Sequence, residues 1–214
     1  MLPSFNRRDF IQSTACTIIG FSGLGKLSWD NNNAAAPTSN ELINVLGPKE
    51  GFTPHIGSLV SMMDWMRFYM LRSVEGMNTK DLDYLLDENA NSIGAMLLHL
   101  AATDKWYHLH TFRNIAPDNI FTASEFEPFQ AGMQLGDRGR KEIKGNGLSY
   151  YTDILAKTRE ETLQELAQRD DDWLLETDEK FPWGPTNNYC KWFHVCEHES
   201  NHNGQIKLIK SRIS

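Results

Sequence analysis

Cysteine is scarce in this chain, with three among 214 residues, Cys16, Cys190 and Cys196. Cys190 and Cys196 fall six positions apart on one helical segment, about 9–10 Å between Cα atoms, beyond the roughly 7 Å that a disulfide spans. No Cys-x-x-Cys spacing supports thiolate metal ligation. The chain is therefore not a disulfide scaffold, and Cys190 and Cys196 are expected as free thiols, one of them in the core. A basic surplus is missing too: 21 Lys and Arg stand against 28 Asp and Glu, a formal charge of −7. Without a positive patch, a nucleic-acid partner is not expected. No hydrophobic stretch reaches membrane length, and no segment alternates convincingly as a strand.

One weakly apolar run does occur, Ser13 to Leu24, and it is too short and too rich in Gly, Ser and Thr to span a bilayer. Asn6-Arg7-Arg8-Asp9-Phe10-Ile11-Gln12 precedes it and resembles a twin-arginine export signal. Ala34-Ala35-Ala36 before Pro37 supplies small residues for cleavage. Residues 1–36 are thus expected to be a removable signal and the protein to be periplasmic or otherwise exported, with no stable membrane insertion afterwards. Cleavage removes Arg7, Arg8 and Lys26 against Asp9 and Asp30, leaving 178 residues at −8. That length is one domain and is enough to bury a core.

The most informative stretch is at the other end. His194, His198 and His202 recur every fourth residue between Trp192 and Ile206, with apolar positions at Phe193, Val195, Ile206, Leu208 and Ile209 and no proline. Residues i and i+4 share one helix face, so two such imidazoles can meet a divalent ion at roughly 2.0–2.1 Å per nitrogen. All three cannot, because eight residues rise about 12 Å. One adjacent pair is the candidate, and it needs a further ligand from another helix. Ser92 to Ala102 is an apolar helical segment with a single histidine, His99, near its middle. Three neutral imidazoles from two helices would leave metal positions open for water or substrate.

The segment Leu82 to Tyr107, with Asn91-Ser92-Ile93-Gly94 leading into Leu97-Leu98-His99-Leu100, resembles the second helix of the DinB/YfiT-like superfamily. The closing His194-x-x-x-His198-x-x-x-His202-Asn203-Gly204-Gln205-Ile206 resembles its last helix, which usually ends His-Arg-Gly-Gln. The resemblance covers about Phe52 to the C-terminus. It implies an all-α fold, an antiparallel four-helix bundle, with one divalent transition metal ion, zinc, nickel or iron, on His99, His198 and His202. His194 matches a histidine that is frequent in the family but not usually counted as a ligand. Asn203 stands where the family commonly has arginine. Relatives include metal-dependent transferases and isomerases that use low-molecular-weight thiols. A homodimer is common in such folds.

The chain reads accordingly as an export signal (1–36), a polar lead (37–51) and the bundle (52–214). Thr53 and Pro54 open the first helix as N-cap and first residue, and it runs to about Val74 with Met63, Met66 and Met70 among its core positions. The second helix runs from about Ser92 to Phe112, the third from Leu148 to Gln168 with Glu160, Glu161 and Glu165 on a solvated face. Asp170-Asp171-Asp172 ends the third, and Phe181 to Pro185 turns into the last helix, capped by Thr186 or Asn187. Phe121 to Asn146 is the least regular region and is placed to fold over the bundle's mouth.

Other residues carry open alternatives. His194 is a pocket residue or a ligand in place of His202. Glu197, Glu199 or Gln205 can orient an imidazole through its second N–H. Thr103 and Asp104 are candidate walls, Gly204 permits close helix approach, His55 is exposed, and His108 and His110 suit a helix C-terminus. Thiol cofactors are scarce and oxidised outside the cytoplasm. An exported protein is therefore expected to be a metal-dependent hydrolase acting on a small molecule; the alternatives are a non-catalytic metal or small-ligand binder, or a thiol-dependent transferase.

Overall fold

The computed structural model describes residues 43–213. The expected export signal, its cleavage site and Cys16 lie outside the described residues, as does the first part of the polar lead. The described chain is mostly helical. Its four long helices are α1 (Pro54–Val74), α2 (Ile93–Arg113), α3 (Leu148–Leu166) and α4 (Asn188–Lys210). Among the described residues no helix is long and apolar enough to cross a membrane.

The helix ends follow local chemistry. Ser92 caps α2, its Oγ accepting the Ala95 N–H at 3.1 Å, and Asn114 closes the helix in the left-handed conformation at φ 54°. Asn187 caps α4 by accepting the Cys190 N–H at 2.8 Å. Helix α1 starts where expected, at Pro54, but Thr53 does not cap it through its own oxygen. Its hydroxyl instead donates to Asp171 Oδ1 (2.5 Å), and the same carboxylate accepts the N–H groups of His55 (3.1 Å) and Ile56 (3.2 Å). The cap is thus supplied by a distant segment. Asp170 to Asp172 do more than end α3: they open a short helix, Asp171–Leu175, whose cap is Asp170.

Helix α2 is the centre of the packing. It lies against α3 and α4, while α1 packs mainly on α4. Its remaining side is covered by the region expected to be least regular. There the chain forms a 3-10 turn over Ser124–Phe129 and short helices Gln130–Gln134 and Gly136–Glu142, and a further short helix just ahead of the region, Pro117–Ile120, joins the cover. Ala102 and Leu109 of α2 are buried against Ile120 and Phe126 of that cover. Covered on all these sides, α2 buries almost its whole circumference, which is why its sequence reads as continuously apolar around His99.

Close approach depends on two glycines. A Cβ at Gly94 would meet the Tyr151 hydroxyl of α3 at 2.6 Å, and one at Gly132 would meet the Leu98 side chain and backbone at 2.9–3.0 Å. Gly204, expected to serve this purpose, has nothing within 4 Å of where a Cβ would sit. The absence of strands also needs correction. Thr177–Asp178 and Thr186–Asn187 form a two-stranded antiparallel ladder that closes the turn ahead of α4. Two residues per strand are too few for an alternation to register in sequence.

Candidate metal centre

Histidines 99, 198 and 202 converge. Each offers a ring nitrogen, and the three atoms lie within 4.8 Å of one another. The Nε2 atoms of His99 and His198 are 2.8 Å apart. Two nitrogens on one tetrahedral ion at 2.0–2.1 Å lie roughly 3.3–3.4 Å from each other, so a small outward movement of one ring would seat an ion. His99 and His202 are buried and His198 is half-buried.

The rings are held in the tautomer that metal binding needs. His99 Nδ1 lies 3.0 Å from the Gly132 carbonyl, and a carbonyl can only accept, so the proton sits on Nδ1 and Nε2 presents a lone pair. His202 Nδ1 lies 3.0 Å from Gln205 Oε1 and is fixed in the same way. Both acceptors come from what packing supplies. Gly132 reaches α2 because it has no side chain, and Gln205 is on the same helix as His202, one turn further on. Of the three residues proposed to orient an imidazole, Gln205 is placed to do so. Glu197 points outward, 4.0 Å from His194 Nε2.

Burial keeps these rings neutral. It pushes His99 down to about 4, with the nearby His202 adding to the effect. Burial, then His202, His99 and His194, push His198 down to about 3. His202 is also lowered, chiefly by burial. Three uncharged imidazoles, two with directed lone pairs and none engaged by a carboxylate, fit a divalent transition metal ion. Such a set leaves further positions for water or substrate.

His194 does not join the cluster. Its ring centroid is 5.2 Å from that of His198, and its Nδ1 is 3.0 Å from the Tyr107 hydroxyl. Burial raises the Tyr107 phenol well above its ordinary value, so it keeps its proton and donates it to His194. Trp183, 58% exposed, meets the other side of His194 edge-on at 5.0 Å. His55 is exposed as expected. His108 is buried, with no partner for Nδ1, and His110 lies far from the three-histidine cluster along α2. Cys190 is exposed and Cys196 buried, both as free thiols; burial pushes Cys196 up to about 12, so it stays protonated.

Asp104 and Glu199 are not pocket residues. They form a buried ionic quartet to which each long helix gives one charge. Arg67 Nε of α1 bonds Glu199 Oε1 of α4 (2.6 Å), and Arg159 of α3 bonds Asp104 Oδ2 of α2 (2.9 Å) and Glu199 Oε2 (3.2 Å). Thr162 donates to the second oxygen of Asp104 at 2.7 Å, and Arg67 also reaches the Leu155 carbonyl at 3.0 Å. Burial opposes the charge on Arg159, but Asp104 and Glu199 more than offset it and hold the guanidinium above its ordinary value. Sequence reading missed this cluster. The only signal was a charged residue on the otherwise apolar face of each helix.

The fold and the cluster define a class: a mostly helical protein with a three-histidine site able to hold one metal ion. The profile of the mycothiol S-transferase family matches residues 58–214, and the chain belongs to that family, within the DinB-like superfamily. No curated protein matches the chain. Among solved structures, a conserved protein from Enterococcus faecalis is similar with a TM-score of 0.54 at 14% identity, over 71% of this chain and 92% of that one. At that identity the likeness concerns the fold alone.

Proposed function

We propose that this protein is a metal-dependent S-transferase built as an antiparallel four-helix bundle, in which His99, His198 and His202 hold one divalent transition metal ion. The observation that carries the reading is the convergence of three neutral imidazoles, two of which, His99 and His202, have their N–H groups taken up by Gly132 and Gln205. Membership of the mycothiol S-transferase family supports thiol transfer as the reaction class. When bound, the ion supplies Lewis acidity that lowers the pKa of a thiol or a water beside it. The chain's own residues hold and orient that centre. Gly132 and Gln205 fix the tautomers of His99 and His202, burial keeps the rings unprotonated at neutral pH, and His194, braced by Tyr107 and Trp183, walls the approach. In the transfer, the thiol loses its proton to solvent, its sulfur forms a bond to an electrophilic carbon, and the leaving group departs with the electron pair.

The test is thiol consumption with 1-chloro-2,4-dinitrobenzene as electrophile, using cysteine, glutathione and mycothiol. The expected result is a rate that needs metal and is lost in His198→Ala. A rate unchanged by chelation, or a folded protein that binds no metal on titration, would overturn the reading.

A second reading rests on the twin-arginine pattern at Asn6 to Gln12. It makes the protein exported, periplasmic after cleavage near Ala36, and hydrolytic at the same site, since thiols are scarce outside the cytoplasm. Thiol-independent turnover of an ester, amide or lactone would decide for it. A homodimer and a small-molecule substrate accompany both readings.

A further inference from the structure

The carbonyl that holds His99 is carried on the cover, and the cover is fastened at a distance. Gly132 lies in the short helix Gln130–Gln134, and the next one, Gly136–Glu142, is tied back to the residues that lead into α2. Asn91 Oδ1 accepts the Gly136 N–H at 3.0 Å, and Arg140 Nη1 donates to the Asn89 carbonyl at 2.8 Å. Arg138 Nη1 reaches Gln130 Oε1 at 3.3 Å and Gln134 Oε1 at 3.4 Å, which staples the two short helices to each other. A line of contacts thus runs from Asn91, just ahead of α2, through Gly136 and Gly132 to Nδ1 of His99 on α2 itself.

The junction between the two short helices is strained. Leu135 has φ 52° and ψ −146° there, a conformation that glycine adopts freely and that leucine holds only where its surroundings enforce it. Its side chain packs against the core cluster that contains Leu97 and Leu98. Packing and the Asn91 latch hold the cover down, and backbone strain opposes them. Docking matters to His99 because the docked cover places the Gly132 carbonyl 3.0 Å from its Nδ1. With that proton held, Nε2 keeps its lone pair for a ligand. Undocked, the ring is free to carry its proton on either nitrogen.

We infer that Asn91, by latching the cover, decides from outside the centre which nitrogen of His99 is free, so that docking of the cover and binding of a metal ion at the three histidines are coupled. The inference rests on the proposed metal centre. Its own content is the latch and the coupling. Coupling is reciprocal: the factor of affinity that the docked cover adds for the ion is the factor by which the bound ion favours docking. An outer partner of a ligating imidazole is worth about tenfold to a hundredfold in affinity, which sets the size expected in both directions. Asn91 is a positioning residue in this account. It touches neither the ion nor a substrate and acts through Gly132 and His99.

The test is zinc affinity of the full chain by chelator competition, with amide hydrogen exchange as a second readout. Gly132→Ala places a Cβ 2.9–3.0 Å from Leu98 and lifts the carbonyl away, so it should weaken zinc binding about tenfold or more. Gly139→Ala, in the same cover, meets nothing closer than 3.7 Å and should bind zinc as the parent does. Asn91→Ala should weaken binding in the same direction as Gly132→Ala, and Asn91→Asp, which keeps the acceptor, should restore it. In the parent, zinc should slow exchange of the Leu135, Gly139 and Ile143 amides, each hydrogen-bonded within the cover, by a factor comparable with the affinity lost in Gly132→Ala. Parent-like affinity in both Gly132→Ala and Asn91→Ala, or cover amides that zinc does not slow, would overturn the inference. If the parent binds no zinc, the metal reading fails and takes the coupling with it, and the latch is decided in the metal-free protein at neutral pH. Ring nitrogen shifts of His99 should then place the proton on Nδ1 in the parent and on both nitrogens in Gly132→Ala and Asn91→Ala. Parent-like shifts in the two variants sink the latch as well.

Discussion

Nδ1 of His202 lies 3.0 Å from Oε1 of Gln205, three residues further along the same helix. This contact decides which nitrogen of His202 is free, and it is made by a side chain that touches no other part of the centre.

Gln205 is therefore expected to tune the affinity for a metal ion at the three histidines without being a ligand. Gln205→Leu is expected to weaken binding about tenfold to a hundredfold, the usual effect of losing a partner to a ligating imidazole, and Gln205→Glu should restore it. Competition with a chromogenic chelator measures both. His99→Ala, His198→Ala and His202→Ala should each lose the metal while keeping their helical circular dichroism, and His194→Ala should keep the metal.

The metal-free protein should lose stability as pH falls from neutral. His99 and His198 titrate near 4 and 3 when folded, with His202 lowered as well, whereas an unfolded histidine titrates near 6.5. Below 6.5 the unfolded chain thus binds more protons than the folded one, and stability declines with pH through that window down to about 3. Melting temperatures of chelated protein between pH 7.5 and 4 check this. A triple Gln variant at 99, 198 and 202 should show a shallower decline, and an unchanged slope would refute the burial argument.

The buried quartet makes a different claim. Arg159→Met leaves Asp104 and Glu199, both buried, sharing Arg67, and breaking such a pair costs about 3–5 kcal/mol. In a chain of this size that amounts to roughly 6–20 °C in melting temperature. Arg113→Ala removes an exposed pair with Glu165 and should cost about 1 kcal/mol or less. Urea unfolding of the two variants side by side distinguishes a structural quartet from incidental charge pairing.

Much of this was legible in the chain. Pro54, Ser92, Asn187 and the periodic apolar residues give the long helices their ends and inward faces, because capping and burial act within a few residues. His99, His198 and His202 were found through i, i+4 spacing joined to a family resemblance. What stayed hidden depends on partners far apart in sequence. Arg67 and Arg159 look like surface residues until Glu199 and Asp104 arrive opposite them. Phe193 and Leu208 read as core positions of α4 yet are about half exposed, since that helix has packing on only part of its circumference. The cover over His99 was hidden for another reason: helices of four to seven residues carry too few positions to establish a period.

The Asp171 carboxylate that completes the start of α1 comes 116 residues after His55. During synthesis the first helix therefore leaves the ribosome with its leading N–H groups facing water, and they stay so until α2, α3 and the short helix behind them have followed. The order of manufacture and the order of completion differ, and α1, the first of the described long helices, is among the last to be finished.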